Sequence, residues 1–112
     1  MRLGGIKNLK YYARERALWP KLDLIEMPVL LAPYWSERVL EQVGYQGHVR
    51  YHLRPRGDNH CYDTATRTVY YSGPTVSVSD MLHELGHIWV PYHNRDHLTA
   101  VCLLVEIYKE TH

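Results

Sequence analysis

Phenylalanine is missing from this chain of 112 residues, although ten tyrosines and three tryptophans are present. Every large ring available to a core therefore carries a hydroxyl or an indole N–H, which needs a partner once buried. Sulfur is scarce as well. Two cysteines, Cys61 and Cys102, are too few for a disulfide framework, so reduced thiols in a cytoplasmic setting are the expectation. No apolar run reaches the ~20 residues that cross a bilayer, which argues against a membrane protein. Met1-Arg2-Leu3-Gly4-Gly5 is not followed by the apolar core of a signal peptide. Repeats and low-complexity segments are absent too. With 112 residues at 46% hydrophobic, the chain can bury one core and has no room for a second, which predicts a single domain over 1–112.

Net charge is almost nil at +1, but its distribution is uneven. Residues 1 to 56 hold ten Lys/Arg against five Asp/Glu, and residues 57 to 112 hold three against seven. Within the basic half, residues 5 to 18 read as a basic helix with Ile6, Leu9, Ala13 and Ala17 on one side. Pro20, Pro28 and Pro33 break the next stretch, leaving the short apolar connector Val29-Leu30-Leu31. Ser36 to Val43 reads as a second short helix stopped by Gly44, so 1–45 forms a helical N-terminal part.

Strands are expected over 46–73. From His48 to Arg54 the residues alternate, which puts His48, Arg50, His52 and Arg54 on one strand face and Val49, Tyr51 and Leu53 on the other. Arg56 extends the basic row, Gly57-Asp58-Asn59 makes a turn, and Arg67 to Tyr71 reads as a second strand ended by Gly73-Pro74. Two readings of the basic face stand side by side. It is the solvated outer face of a half-buried antiparallel sheet, or it is a surface for an anionic partner such as nucleic acid.

The chemistry lies further on. His83-Glu84-Leu85-Gly86-His87 reads H-E-x-x-H within a segment that favours a helix. Histidines at i and i+4 share one helix face, so both imidazoles can reach one zinc ion, and the glutamate between them lies beside the metal. Val78, Met81, Leu82, Leu85, Ile88 and Trp89 recur at helical spacing and mark a buried face. His83, Glu84 and His87 fall on the opposite side, where a cleft is expected. Ser77 can cap the first turn and Pro91 ends the segment, which places an active-site helix over 77–90.

Zinc needs a third protein ligand, and two residues compete for the place. His93 lies six residues beyond His87, with Asn94 after it able to cap a further helix over 95–110. Glu106 lies in that second helix within Leu103-Leu104-Val105-Glu106-Ile107. Thr99, Cys102, Glu106, Lys109 and Glu110 share one stripe there, which is expected to face water. His93 is favoured over Glu106.

His83-Glu84-Leu85-Gly86-His87, five residues, then His93-Asn94-Arg95-Asp96-His97 resembles the signature of small zincins of the SprT-like and WLM-type groups. In those, the third histidine is followed by a polar helix cap and, four residues on, usually by an aromatic; His97 stands at that last place. The metzincins instead want a glycine where this chain has Val90 and a methionine turn downstream, whereas Met1, Met27 and Met81 all lie upstream. Cys61 as a ligand would resemble the peptide deformylases, whose glycine-rich and glutamine motifs are absent.

The resemblance covers roughly the last third of the chain. It implies an α+β minimal zincin-like domain: a small antiparallel or mixed sheet, the active-site helix and a C-terminal backing helix. It also implies a zinc-dependent metallopeptidase that hydrolyses protein or peptide substrates. In that reading His83, His87 and His93 hold Zn2+, and Glu84 is the general base that takes a proton from the zinc-activated water. Tyr92, His97 or a residue of the basic strand would steady the transition state. SprT-like relatives act on proteins bound to DNA, which the basic strand would suit. An endoribonuclease of the YbeY type is the alternative: that family has three histidines at the same spacing but a glycine where Glu84 stands. A zincin domain that binds metal without cleaving anything is a third.

Overall fold

The computed structural model describes residues 25–57 and 59–111. The basic helix expected over residues 5 to 18 lies outside the described residues. Along the rest run strand β1 (Glu26–Pro28), a 3-10 turn (Val29–Leu31), helix α1 (Ala32–Gln42), strands β2 (Arg50–Arg54), β3 (Cys61–Asp63), β4 (Thr68–Ser72) and β5 (Thr75–Ser77), and helices α2 (Val78–Gly86) and α3 (Arg95–Thr111). The architecture is α+β with a small mixed sheet, as the sequence led us to expect. No helix among the described residues is long and apolar enough to cross a membrane.

In the three-stranded sheet the order is β2-β4-β3. The central strand β4 runs parallel to β2, pairing Tyr51 with Val69 and Leu53 with Tyr71, and antiparallel to β3, pairing Tyr62 with Val69. Being central, β4 buries residues on both faces, and Thr68, Val69, Tyr71 and Ser72 are all withdrawn from water. A solvated antiparallel sheet containing β2 is therefore not what forms. The outward direction of the basic residues does hold for His48, Arg50, His52 and Arg56, which are exposed. Arg54 leaves the row: its Nε donates to Ser72 Oγ at 2.8 Å and its Nη2 to the Asn59 carbonyl at 2.8 Å. A two-stranded sheet, β1 antiparallel to β5, leads directly into α2. Neither β1, β3 nor β5 was expected as a strand, because three residues give no alternation to read.

Helix α1 starts earlier than Ser36. Pro33 does not break the chain there but occupies the first turn, where its missing N–H costs no helical hydrogen bond. Ala32, Ser36, Val39 and Leu40 form its buried stripe. Its end is as expected: Gly44 takes φ 75°, with Gly44 N donating to Glu41 O (3.0 Å) and Tyr45 N to Leu40 O (3.0 Å). Those two bonds satisfy carbonyls that a helix end otherwise leaves open.

Helix α2 begins where the sequence indicates, with Ser77 Oγ accepting the Asp80 amide at 3.1 Å. It ends at Gly86, four residues short of the expected Val90. The His87, Ile88 and Trp89 amides reach back only three residues, to Glu84, Leu85 and Gly86, so the last turn tightens. Val90 precedes Pro91 and is disfavoured in a helical conformation, which removes any continuation. The core lies around α2, with Val69, Tyr71, Val76, Met81, Leu82, Leu85, Val101 and Leu104 among its fully buried members. Helix α3 backs α2 with the stripe His97, Val101, Leu104, Val105 and Tyr108.

Candidate metal centre

Three histidines, from α2 and from the segment that follows it, converge at the C-terminal end of this helix. His83 belongs to its last full turn, His87 follows its final residue, and His93 comes from the segment that crosses to α3. His83 Nε2 lies 3.0 Å from His93 Nε2, and His87 Nε2 lies 3.2 Å from the same atom. Nitrogens bound to one tetrahedral zinc at its usual bond length sit about 3.3 Å apart, so this spacing suits a metal ion. The donor set fits in a second way. His87 Nδ1 is 2.9 Å from the Val90 carbonyl, and a carbonyl only accepts, so the ring proton sits on Nδ1. His87 Nε2 is thereby left as a bare lone pair directed at the cluster. Such an outer hydrogen bond is how protein metal sites fix a ligand's tautomer.

The polar side of α2, where the sequence implied a cleft, is withdrawn from water. His83, Glu84 and His87 retain only 5%, 8% and 7% of their exposure, because α1, β3, β5 and α3 all pack on this helix. Burial pushes the His87 imidazole down to about 3, helped by the positive charge that His97, His83 and His93 would carry, and opposed by the Val90 carbonyl. His97 is pushed down to about 4, again by burial first and by His83 next. Both rings are neutral near pH 7, the state in which an imidazole can bind a metal. Glu84 lies next along the helix from His83. Its negative charge, after burial, raises the Tyr71 phenol above its ordinary range, while Ser36, hydrogen-bonded to Tyr71 Oη at 2.8 Å, acts the other way.

The structure thus brings together His83, His87 and His93 as a group able to hold a metal ion. Glu106 is placed elsewhere, exposed on the outer stripe of α3 with Thr99, Lys109 and Glu110. Asn94 caps α3 as expected, its Oδ1 accepting the His97 amide at 3.0 Å. Tyr92 is 72% exposed beside His93, and Trp89 meets Tyr45 edge to face at 5.5 Å.

Three features of the site were not read from the sequence. Gly86 permits close helix contact: a Cβ there would stand 2.7 Å from Val101 Cγ2 and 3.1 Å from His97 Nε2. The Ser36–Tyr71 pair under Glu84 joins α1 to β4 across the core. His97, set down as standing in an aromatic's place, is 2% exposed and donates from Nε2 to the His83 carbonyl at 2.9 Å. The glycine inside the H-E-x-x-H segment was the available signal for the first; the other two depend on tertiary placement. Scans against models of protein families, against curated proteins and against solved structures find no match to this chain.

Proposed function

We propose that this protein is a zinc-dependent metallopeptidase, with His83, His87 and His93 as ligands and Glu84 as general base. The observation that carries the reading is the convergence of the three Nε2 atoms, with Glu84 buried one residue from His83. Imidazole donors suit several transition metals, and zinc is favoured by three imidazole donors beside a carboxylate. Zinc held there supplies Lewis acidity, which polarises a peptide carbonyl and makes water acidic near neutral pH. The Glu84 carboxylate would accept a proton from the attacking water and hand it to the leaving amine.

A second reading keeps the same ligands but takes RNA as substrate, and the exposed His48, Arg50, His52 and Arg56 favour it. The test compares the parent with Glu84→Gln at matched zinc occupancy, on an unfolded casein-type protein and on single-stranded RNA. The expected result is zinc-dependent proteolysis by the parent and a loss of about 10²–10⁴ in rate for the variant, with zinc retained. Proteolysis that survives in Glu84→Gln overturns the mechanism. Cleavage of RNA alone moves the function to the second reading, and failure to take up any transition metal removes both.

A further inference from the structure

The fourth histidine of the cluster lies within reach of the other three, with ring centroids 4.5 Å from His83, 4.1 Å from His87 and 5.5 Å from His93. We propose that His97 is not a ligand but a positioning residue that sets two ligands of the metal centre, His83 and His87. The inference rests on the three-histidine metal site and is independent of what that site cleaves.

Its basis is the way α2 ends. The His87 amide turns to the Glu84 carbonyl at 3.1 Å, one residue short of the α-helical partner, which is His83. His83 is buried, so a hydrogen bond to its carbonyl has to come from within the protein. His97 Nε2 supplies the hydrogen bond at 2.9 Å. Because the carbonyl can only accept, the His97 proton resides on Nε2, which has no lone pair for a metal, and the side chains whose ligand atoms converge are His83, His87 and His93 without His97. The same ring lies nearly parallel to His87, at 14° between planes. One side chain therefore fixes the backbone of the first ligand and the ring plane of the second. A phenylalanine would fill the same volume but could not make the hydrogen bond to the His83 carbonyl.

Placement of His97 is itself tied to the third ligand. Asn94, adjacent to His93, accepts the His97 amide through its side chain and so locks the first turn of α3. Val101, one turn further on, and His97 press against the Gly86 position, which holds α3 close enough for the bond to form. All three ligands thus share a common outer support, of the kind whose loss lowers metal affinity at other sites.

The experiment uses the full chain, freed of metal and titrated with zinc against a chromophoric chelator, for the parent, His97→Phe and His97→Gln. Phe keeps the ring and loses the donor, whereas Gln places an amide N–H near the position of Nε2. The expected result is a loss of affinity of about 10- to 100-fold in His97→Phe, most of it recovered in His97→Gln. Cobalt substituted for zinc should give visible bands that change in the Phe variant and return toward the parent in the Gln variant. A purely space-filling role predicts the opposite order, with Phe the milder change, and that order overturns the proposal. Imidazole 15N shifts of the parent provide a check that needs no variant. They should show His97 protonated on Nε2 before and after zinc is added. A zinc-coordinated nitrogen on His97 overturns the proposal directly.

Discussion

His93 and Glu106 make different demands on the site, and the difference is measurable. The Nε2 of His93 stands within 3.2 Å of the Nε2 atoms of His83 and His87, whereas the Glu106 carboxylate is exposed on α3. His93→Ala should lower zinc affinity by more than an order of magnitude, while Glu106→Ala leaves it within the scatter typical of surface substitutions. Chelator competition on the two variants checks this, and a reversed order would return the carboxylate to the ligand set. At this scale the sequence was informative where chemistry follows from helical spacing. His83, Glu84 and His87 could be named because i and i+4 share a face however the helix is packed. Asn94 as a cap was readable for the same local reason. The bond from His97 to the His83 carbonyl was not, since it depends on how α3 crosses α2 and on a tightened last turn.

Between elements, the contact of α2 with α3 runs through Gly86. Alanine there would add up to ~1 kcal/mol in helical propensity. The added methyl would stand 2.7 Å from Val101 Cγ2, a short and stiff side chain with little room to yield. Overpacking of a tight core typically costs ~1–3 kcal/mol, so crowding wins. Gly86→Ala is expected to lower the melting temperature of the metal-free protein by several degrees and to weaken zinc binding through the displaced His97. A melting temperature at or above that of the parent would show that α3 moves aside without penalty. The helices were legible from apolar stripes and caps, but α1 starts at Ala32 ahead of the expected Ser36, and α2 stops early at the tightened turn before Val90-Pro91, so that Trp89, expected on its buried face, is 45% exposed. The sheet was legible only in part. β2 and the body of β4 alternate visibly or carry branched and aromatic residues, but β1, β3 and β5 take their form from partners distant in sequence.

At the scale of the molecule, the lack of phenylalanine is met in two ways: the fully buried Tyr71 shares a hydrogen bond with Ser36, whereas the buried Tyr51 hydroxyl has no partner within hydrogen-bond distance among the described residues. The uneven charge does not set the core, which is assembled from apolar residues on both halves of the described chain. Buried histidines, however, make stability depend on pH. In the folded state His87 and His97 are depressed to about 3 and about 4, while in the unfolded chain an imidazole titrates near ~6.5. The unfolded state therefore takes up protons first as pH falls. Stability of the metal-free protein is greatest above ~6.5 and is lost progressively below it, toward the folded values. Urea midpoints at pH 7.5 and pH 5, with a chelator present, should show the decline before most carboxylates titrate. A flat profile would mean these rings are already solvated. The compact sequence span of the metal ligands has another consequence. His83, His87 and His93 lie within eleven consecutive residues, so an ion that joins them closes only a short loop and needs neither sheet to be in place. On the proposed zinc reading, the ion can be captured by a nascent or unfolded chain and organise the α2–α3 corner before the parallel β2–β4 pairing, which must wait for a longer loop to close. The same freedom limits what the ion gives in return. An ion that also binds the unfolded chain stabilises the fold by less than the affinity of the native site alone would imply.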